Sequence, residues 1–407
     1  MFSFISYLKE SKDAAEGAQL KHITHPEDRP LMHGHAGFEH AHAALMQAHE
    51  HMKSGGKTSN LTMKYDGAPS IVFGHHPKNG KFFVATKSAF NKDPKINHTE
   101  ADIDRNHGHA PGLASKLKTA LKHLPKVAPK TGVYQGDLMH TKEDLKEALN
   151  EAKDSKVSFT PNTITYTAHG KDADKIKKSK VGVVVHQQYH GDDIASMKVS
   201  PHPDLSKFKE HPDVHMHGAE HDTSKVTHSD ANENTFQKHM AAAKEIHDTH
   251  GHAMYNAVHS KHSGDSGHLA TYINKTVRHD EVPNVKGFQQ HLKDWHGKQA
   301  EKVKTEKSKS AKVGEGTAQV SHVEKNKAHY GNLLAQHHHL AQAKNSLVKS
   351  LETHEGGYEH HIAGKKSKPE GFVVNTKHEG KEEPSKLVNR AEFAKANLLK
   401  TKKFGDK

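Results

Sequence analysis

The sequence predicts an α+β protein, a domain of mostly antiparallel sheet interrupted by a large helical insertion. Three observations predict this. Short β-like runs crowd residues 58–190 and return after residue 365. From about 200 to 365 the apolar residues fall at helical spacing instead. The 407 residues suffice for two or three domains, yet only 32% are hydrophobic and the mean hydropathy is -0.90, so much of the length must be solvated helix or loop.

Taken in order, residues 1–56 form an N-terminal helical segment. Its start, MFSFISYLKESKDAAEG, lacks a basic n-region and a small-residue cleavage site, so it reads as an amphipathic helix and not as a signal peptide. Phe38, Ala41, Ala44, Leu45, Ala48 and Met52 then keep helical spacing up to a stop at Ser54-Gly55-Gly56. The sheet domain takes residues 57–190 and 365–407. Its strands are the runs LTMKY, SIVFG, KFFVATK, TGVYQGDLM, VSFT, TITYTA and KVGVVVHQQY, and its helices are ASKLKTALKHL and KEDLKEALNEA.

The insertion spans 191–364, with helices expected over Asn234–His259, His268–Arg278, Gly287–Lys304 and Ala328–His354. In the last of these, Leu333, Leu340, Leu347 and Leu351 make one apolar stripe on a polar rod. EKSKSAKVGEGTAQ, poor in apolar residues, reads as a flexible connector. After residue 365, GFVVNTK and SKLVNR restore the β texture ahead of a basic helical tail, AEFAKANLLKTKKF.

A formal charge of +12 and a pI of 9.3 favour a polyanionic partner, nucleic acid or an anionic surface. The absence of cysteine excludes disulfides, thiolate catalysis and cysteine-based zinc sites, and it fits a reducing cytoplasm. No apolar stretch approaches the length of a membrane span, so no membrane partner is expected. The 43 histidines invite a metal reading at His337-His338-His339, at His360-His361 and along HGHAGFEHAHAAL. Yet His35, His40 and His42 lie in no HExxH-type frame and no carboxylate stands at a spacing that completes a site. The expectation is therefore histidine and lysine enriched on solvated faces.

The sharpest chemical feature is Lys64-Tyr65-Asp66-Gly67, between two β-like runs. An ammonium between buried strands is costly unless paired, and a lysine nucleophile needs just such surroundings to free its amine. Asp66 and Gly67 would supply a polar contact and a tight turn.

With the segments that follow it in order, this tetrapeptide resembles the covalent nucleotidyltransferase superfamily of ATP-dependent DNA ligases, RNA ligases and mRNA capping enzymes. Lys64 matches the lysine that takes up the nucleotide, within KxDG. Thr86-Lys87-Ser88 resembles the serine/lysine motif that contacts nucleotide or backbone, here through Lys87. Val133-Tyr134-Gln135-Gly136-Asp137-Leu138 resembles the third motif, whose carboxylate, Asp137, serves ribose or metal. Lys180–Val185 falls where the family places an apolar strand lining the adenine pocket, centred on Val183. Glu370-Gly371-Phe372-Val373-Val374 matches EGxVx, whose glutamate supports the metal, and Lys386 stands in the phosphate-binding motif.

The resemblance covers roughly 58–190 and 365–390, under half the chain. It implies a ligase adenylation domain that binds ATP through Asp66, Gly67, Lys87, Asp137, Val183, Glu370 and Lys386, with Mg²⁺ on Asp137 and Glu370. It further implies a lysyl-AMP intermediate on Lys64 and joining of RNA or DNA ends. Too little chain follows Lys386 for an OB-fold, so none is expected, which is closer to RNA ligases and to small bacteriophage members working in a host cytoplasm. The departures are Pro69 where an arginine is usual, Asp137 for glutamate, Asn375 for lysine and Val388 for the second phosphate lysine. They leave open a second class of function, a ligase-like protein without catalysis that binds nucleic acid or serves assembly. Thr24-His25-Pro26-Glu27-Asp28 reads as part of a plain capping helix in preference to a cover on the nucleotide pocket.

Overall fold

The structure is a computed structural model that describes residues 23–55, 57–149, 155–200, 203–260, 266–279 and 281–390. The expected amphipathic start and basic tail lie outside the described residues. In chain order the helices are α1 (Arg29–Ser54), α2 (Glu100–His107), α3 (Pro111–His123), α4 (Gly170–Lys178), α5 (Asp230–Val258), α6 (Ser266–His279), α7 (Val285–Glu301), α8 (Glu306–Lys325) and α9 (Lys327–Leu351). The strands of the N-terminal half are β1 (Lys57–Lys64), β2 (Ser70–His75), β3 (Phe82–Ala85), β4 (Val133–Thr141), β5 (Lys146–Leu149), β6 (Ser155–Phe159) and β7 (Thr165–His169). They continue as β8 (Val181–His190), β9 (Lys198–Ser200), β10 (Val214–Gly218), β11 (Glu220–Asp222), β12 (Glu359–Ile362), β13 (Lys365–Lys366), β14 (Gly371–His378) and β15 (Lys381–Leu387).

These elements gather into two compact units. The first holds Lys57–Asp222 and Glu355–Glu370. Its larger sheet runs β10-β8-β4-β2-β3 with β9 beside β8, antiparallel except for the β10–β8 pair. Because side chains alternate across a strand, the two faces differ in chemistry. Ile71, Phe73, Tyr134, Leu138, Val181, Val183 and Val185 point to one face and form a core with Ile103 of α2 and Leu117 of α3. Each such fully buried side chain contributes roughly 1.5–3 kcal/mol of hydrophobic stabilisation. On the other face Val72, Val133 and Tyr189 pack with Phe83, Phe90 and Ile194, and the same rows continue into polar Ser70, Gln135 and Asp137. The smaller sheet runs β13-β12-β7-β6-β5, with α4 against β6 and β7.

The helix expected over KEDLKEALNEA is replaced by other structure. Lys142–Asp144 make one 3-10 turn, in which Asp144 accepts the Thr141 N–H (2.8 Å), and Lys146–Leu149 then pair with β6. Helical spacing loses there to the ladder hydrogen bonds offered by a sheet edge. Strands also continue past residue 190 as β9–β11, so the helical stretch begins only at Asp230.

The second unit takes its described residues from 23–55, 223–354 and 371–390. Here α5 packs on α9 and α1, and β14 pairs with β15. The expected stripe Leu333, Leu340, Leu347 and Leu351 is fully buried. The connector expected over EKSKSAKVGEGTAQ is the body of α8. Thr305 caps it by accepting the Ser308 N–H, and Lys309–Glu306 (2.7 Å) and Lys312–Glu315 (2.9 Å) pairs support its surface. Gly316 reads as flexible in sequence but is a packing glycine, since a Cβ there would come within 2.7 Å of His296 Cβ on α7. Glu27 and Asp28 do not cap through their side chains. They sit in a buried ion cluster with Lys344, with Arg390 (2.8 Å from Asp28) and with His337 (3.0 Å from Asp28). No helix among the described residues is long and apolar enough to cross a membrane.

Candidate active site at Lys64

Lys64 is the last residue of β1, which is tied to the chain before β11 by a Met63 N–H to Ala219 O bond of 2.7 Å. As the chain leaves the strand, Tyr65 is buried among the rings of His217 (5.3 Å), Tyr166 (6.0 Å) and Tyr358 (6.3 Å). Burial pushes the phenols of Tyr65 and Tyr358 above their ordinary pKa, so both remain neutral anchors.

Asp66 is fully engaged inside the protein. Its N–H donates to Tyr166 Oη (2.7 Å), its Oδ1 accepts from Asn162 Nδ2 (2.8 Å), and its Oδ2 accepts the N–H groups of Thr163 (2.6 Å) and Ile164 (2.9 Å). The carboxylate thus clasps the KYDG loop to the turn between β6 and β7. Gly67 serves close approach, since a Cβ at that position would lie 2.5 Å from Asp137 Cβ and 3.2 Å from Leu138 O. The loop continues along β4, with Ala68 N–H donating to Leu138 O (2.9 Å) and Leu138 N–H to Pro69 O (3.0 Å).

These contacts deliver the Lys64 amine to Glu370, with which it forms an ion pair. The pair is part-open, the Lys64 side chain 27% and the Glu370 side chain 11% exposed. Asp137 carries the second carboxylate of the site, with His186 Nε2 at 3.5 Å. Burial opposes its charge, but His186, Lys64 and a hydrogen bond from Ser70 outweigh that and hold the carboxyl below the usual range. Behind it Tyr189 Oη donates to Gln135 Oε1 (2.5 Å) and Gln135 Nε2 to Ser70 Oγ (3.1 Å), a polar chain that fixes Ser70.

The fold thus brings Lys64, Asp66, Gly67, Asp137 and Glu370 to one place within the first unit. Val183 points away, into the core under α2 and α3, while Val184 pairs with Asp137 and His186 follows on that side. Lys87 is exposed on a single 3-10 turn beside the Thr86–Ser88 hydroxyl pair (2.8 Å). Lys386 belongs to β15 of the second unit, in register with Val373, and its N–H donates to Thr24 O (3.0 Å). Gly371, after Glu370, takes φ 148, and a Cβ there would meet Leu387 O at 2.6 Å. Sequence reasoning missed His186, Ser70, Asn162 and Tyr166. Only His186 left a trace, a histidine ending an apolar run.

Fold and site define an α+β unit that presents a lysine to two carboxylates. The chain belongs to DUF6267, a family of unknown function, which it matches over residues 20–402. No curated protein matches it, and no solved structure does.

Proposed function

We propose that the first unit is a nucleotidyltransferase that carries AMP on Lys64 and works as an ATP-dependent polynucleotide ligase on RNA or DNA ends. One observation carries this reading. The lysine of KYDG and the glutamate of EGFVV, far apart in sequence, meet in an ion pair, with Asp137 of the third resembling segment acting on the same charge. Independent surface turns would have no reason to converge so.

In the first step the Lys64 amine, having lost its proton, attacks the α-phosphorus of ATP. A nitrogen–phosphorus bond forms and pyrophosphate leaves. A nucleic-acid 5′-phosphate oxygen then takes the AMP and restores the amine, and a 3′-hydroxyl finally displaces AMP. Glu370 aims the amine before attack, and the Asp66 clasp fixes the loop that carries it. Asp66 touches no nucleotide in this account, because its oxygens are already occupied. Asp137 and Glu370 are oxygen donors of the kind Mg²⁺ takes, and when bound there the ion would neutralise phosphate charge. The formal charge of +12 suits a polyanionic substrate.

The test is incubation with α-labelled ATP and Mg²⁺ after removal of bound nucleotide, read by denaturing electrophoresis. Label on the wild type that disappears in Lys64→Ala supports the reading, and unlabelled wild type overturns it. Nicked duplex and RNA ends then separate the two substrate classes.

A further inference from the structure

A second constellation lies in the helical unit, apart from the lysine chemistry. α1 breaks at Gly34 (φ 58, ψ -129), where a Cβ would stand 3.4 Å from Tyr255 Cβ on α5. His35 and Glu39 follow, four residues apart and hence on one face of the helix, so a carboxylate does stand at a completing spacing, contrary to the expectation from sequence. α5 brings His247 to them, its Nε2 3.2 Å from Glu39 Oε1 and its ring stacked at 4.5 Å on that of His35. One donor atom from each of the three lies within 4.8 Å of the others.

The tautomer of His247 follows from its neighbours. Gln336 Nε2 donates to Ala243 O (3.4 Å), which turns its Oε1 to accept from Tyr255 Oη (2.9 Å). With its own proton so used, Tyr255 accepts from His247 Nδ1 (3.1 Å). The other nitrogen, Nε2, therefore carries a lone pair in the neutral ring, and it faces a carboxylate oxygen. Two acceptors at 3.2 Å call for a cation between them. A third donor, His35, and a cleft of about 840 Å³ bordered by Met32, His33, His252 and Asn256 fit a metal ion better than a proton.

We propose that His35, Glu39 and His247 form a binding site for a divalent transition-metal ion of the zinc class, with a further coordination position open to the cleft. Two imidazoles and a carboxylate are a zinc donor set, and the Gln336–Tyr255–His247 chain is the outer-sphere support that orients a metal-binding imidazole. His49, His228 and Glu233 also cluster, but they satisfy one another. Both rings reach Glu233 Oε2 (2.7 and 2.8 Å), Gln237 donates to its other oxygen (2.9 Å), and Ser350 takes His228 Nδ1 (2.8 Å).

The test uses the full chain stripped of metal and titrated with Zn²⁺ in competition with a chromophoric chelator, so that scattered surface histidines do not register. The expected result is one tightly held Zn²⁺ per chain. Glu39→Gln and His35→Ala, both on accessible side chains, should each weaken it at least about tenfold, and Tyr255→Phe by about 10–100-fold. His49→Ala and Lys64→Ala should leave it unchanged, with circular dichroism confirming each fold. Wild-type binding no tighter than that of Glu39→Gln and His35→Ala, or no competitive binding at all, overturns the proposal.

Discussion

Asp66 shows how a motif letter turns into structure. Its carboxylate satisfies two backbone amides and the Asn162 amide, so Asp66→Ala would strand buried donors at about 1–3 kcal/mol each. We expect a loss of at least about 3 kcal/mol in urea unfolding. An unchanged midpoint would contradict the clasp. Gly67→Ala should cost about 1–3 kcal/mol by overpacking against Asp137, and it should displace that carboxylate from Lys64. At this scale Lys64, Asp137 and Glu370 were legible, because each stands in a recognisable short segment. Asn162, Tyr166 and His186 were not, because their partners come from distant strands and no local pattern announces them. Val183 was misplaced for another reason. In the run Val-Gly-Val-Val-Val both faces of the strand are apolar, so alternation does not say which residue faces the site.

Elements were read well where an apolar stripe was strong and poorly where polar residues hid the packing. α5, α6, α7 and α9 lie close to their expected positions, whereas α8 and β5 do not. α8 has few apolar residues to betray it, and its close contact is made by a glycine. β5 carries a helical composition but sits at the edge of a five-stranded sheet that supplies its hydrogen bonds. In the helical unit the energetics centre on Glu27 and Lys344, each with a side chain only 1% exposed. Removing Lys344 leaves Arg390, 3.5 Å away, as the cation nearest the buried Glu27, so Lys344→Ala should destabilise by up to about 3–5 kcal/mol. The paired replacement Glu27→Leu with Lys344→Met should recover much of that loss. Chemical denaturation of the single and double variants checks this, and additive losses would contradict it.

Across the whole molecule, the described chain contributes two separate segments to the first unit and three to the second. Local texture does not reveal this. The β-like 371–387 belongs with the helices, and the β12–β13 strands belong with the first unit's sheet. The histidines give the molecule a pH signature. Burial is the main cause that lowers His140 to about 4, His215 to about 3 and His360 to about 4, from an ordinary 6.5. Between those values the unfolded chain binds protons that the folded chain refuses, so stability is full above about pH 6.5 and falls as the pH drops toward 4. For His140 alone the loss is on the order of 3 kcal/mol. Thermal melts between pH 7.5 and 4.5 should show Tm falling steadily below pH 6.5, and a flat profile would contradict the buried neutral state of these rings.

In the proposed reaction Lys64 forms a covalent bond to AMP. The most direct measurement is peptide mass spectrometry of nucleotide-free protein after exposure to ATP and Mg²⁺. We expect an AMP adduct on the peptide carrying Lys64, absent from Lys64→Ala and strongly reduced in Glu370→Gln. Protein that stays unmodified, or an adduct on another lysine, would contradict it.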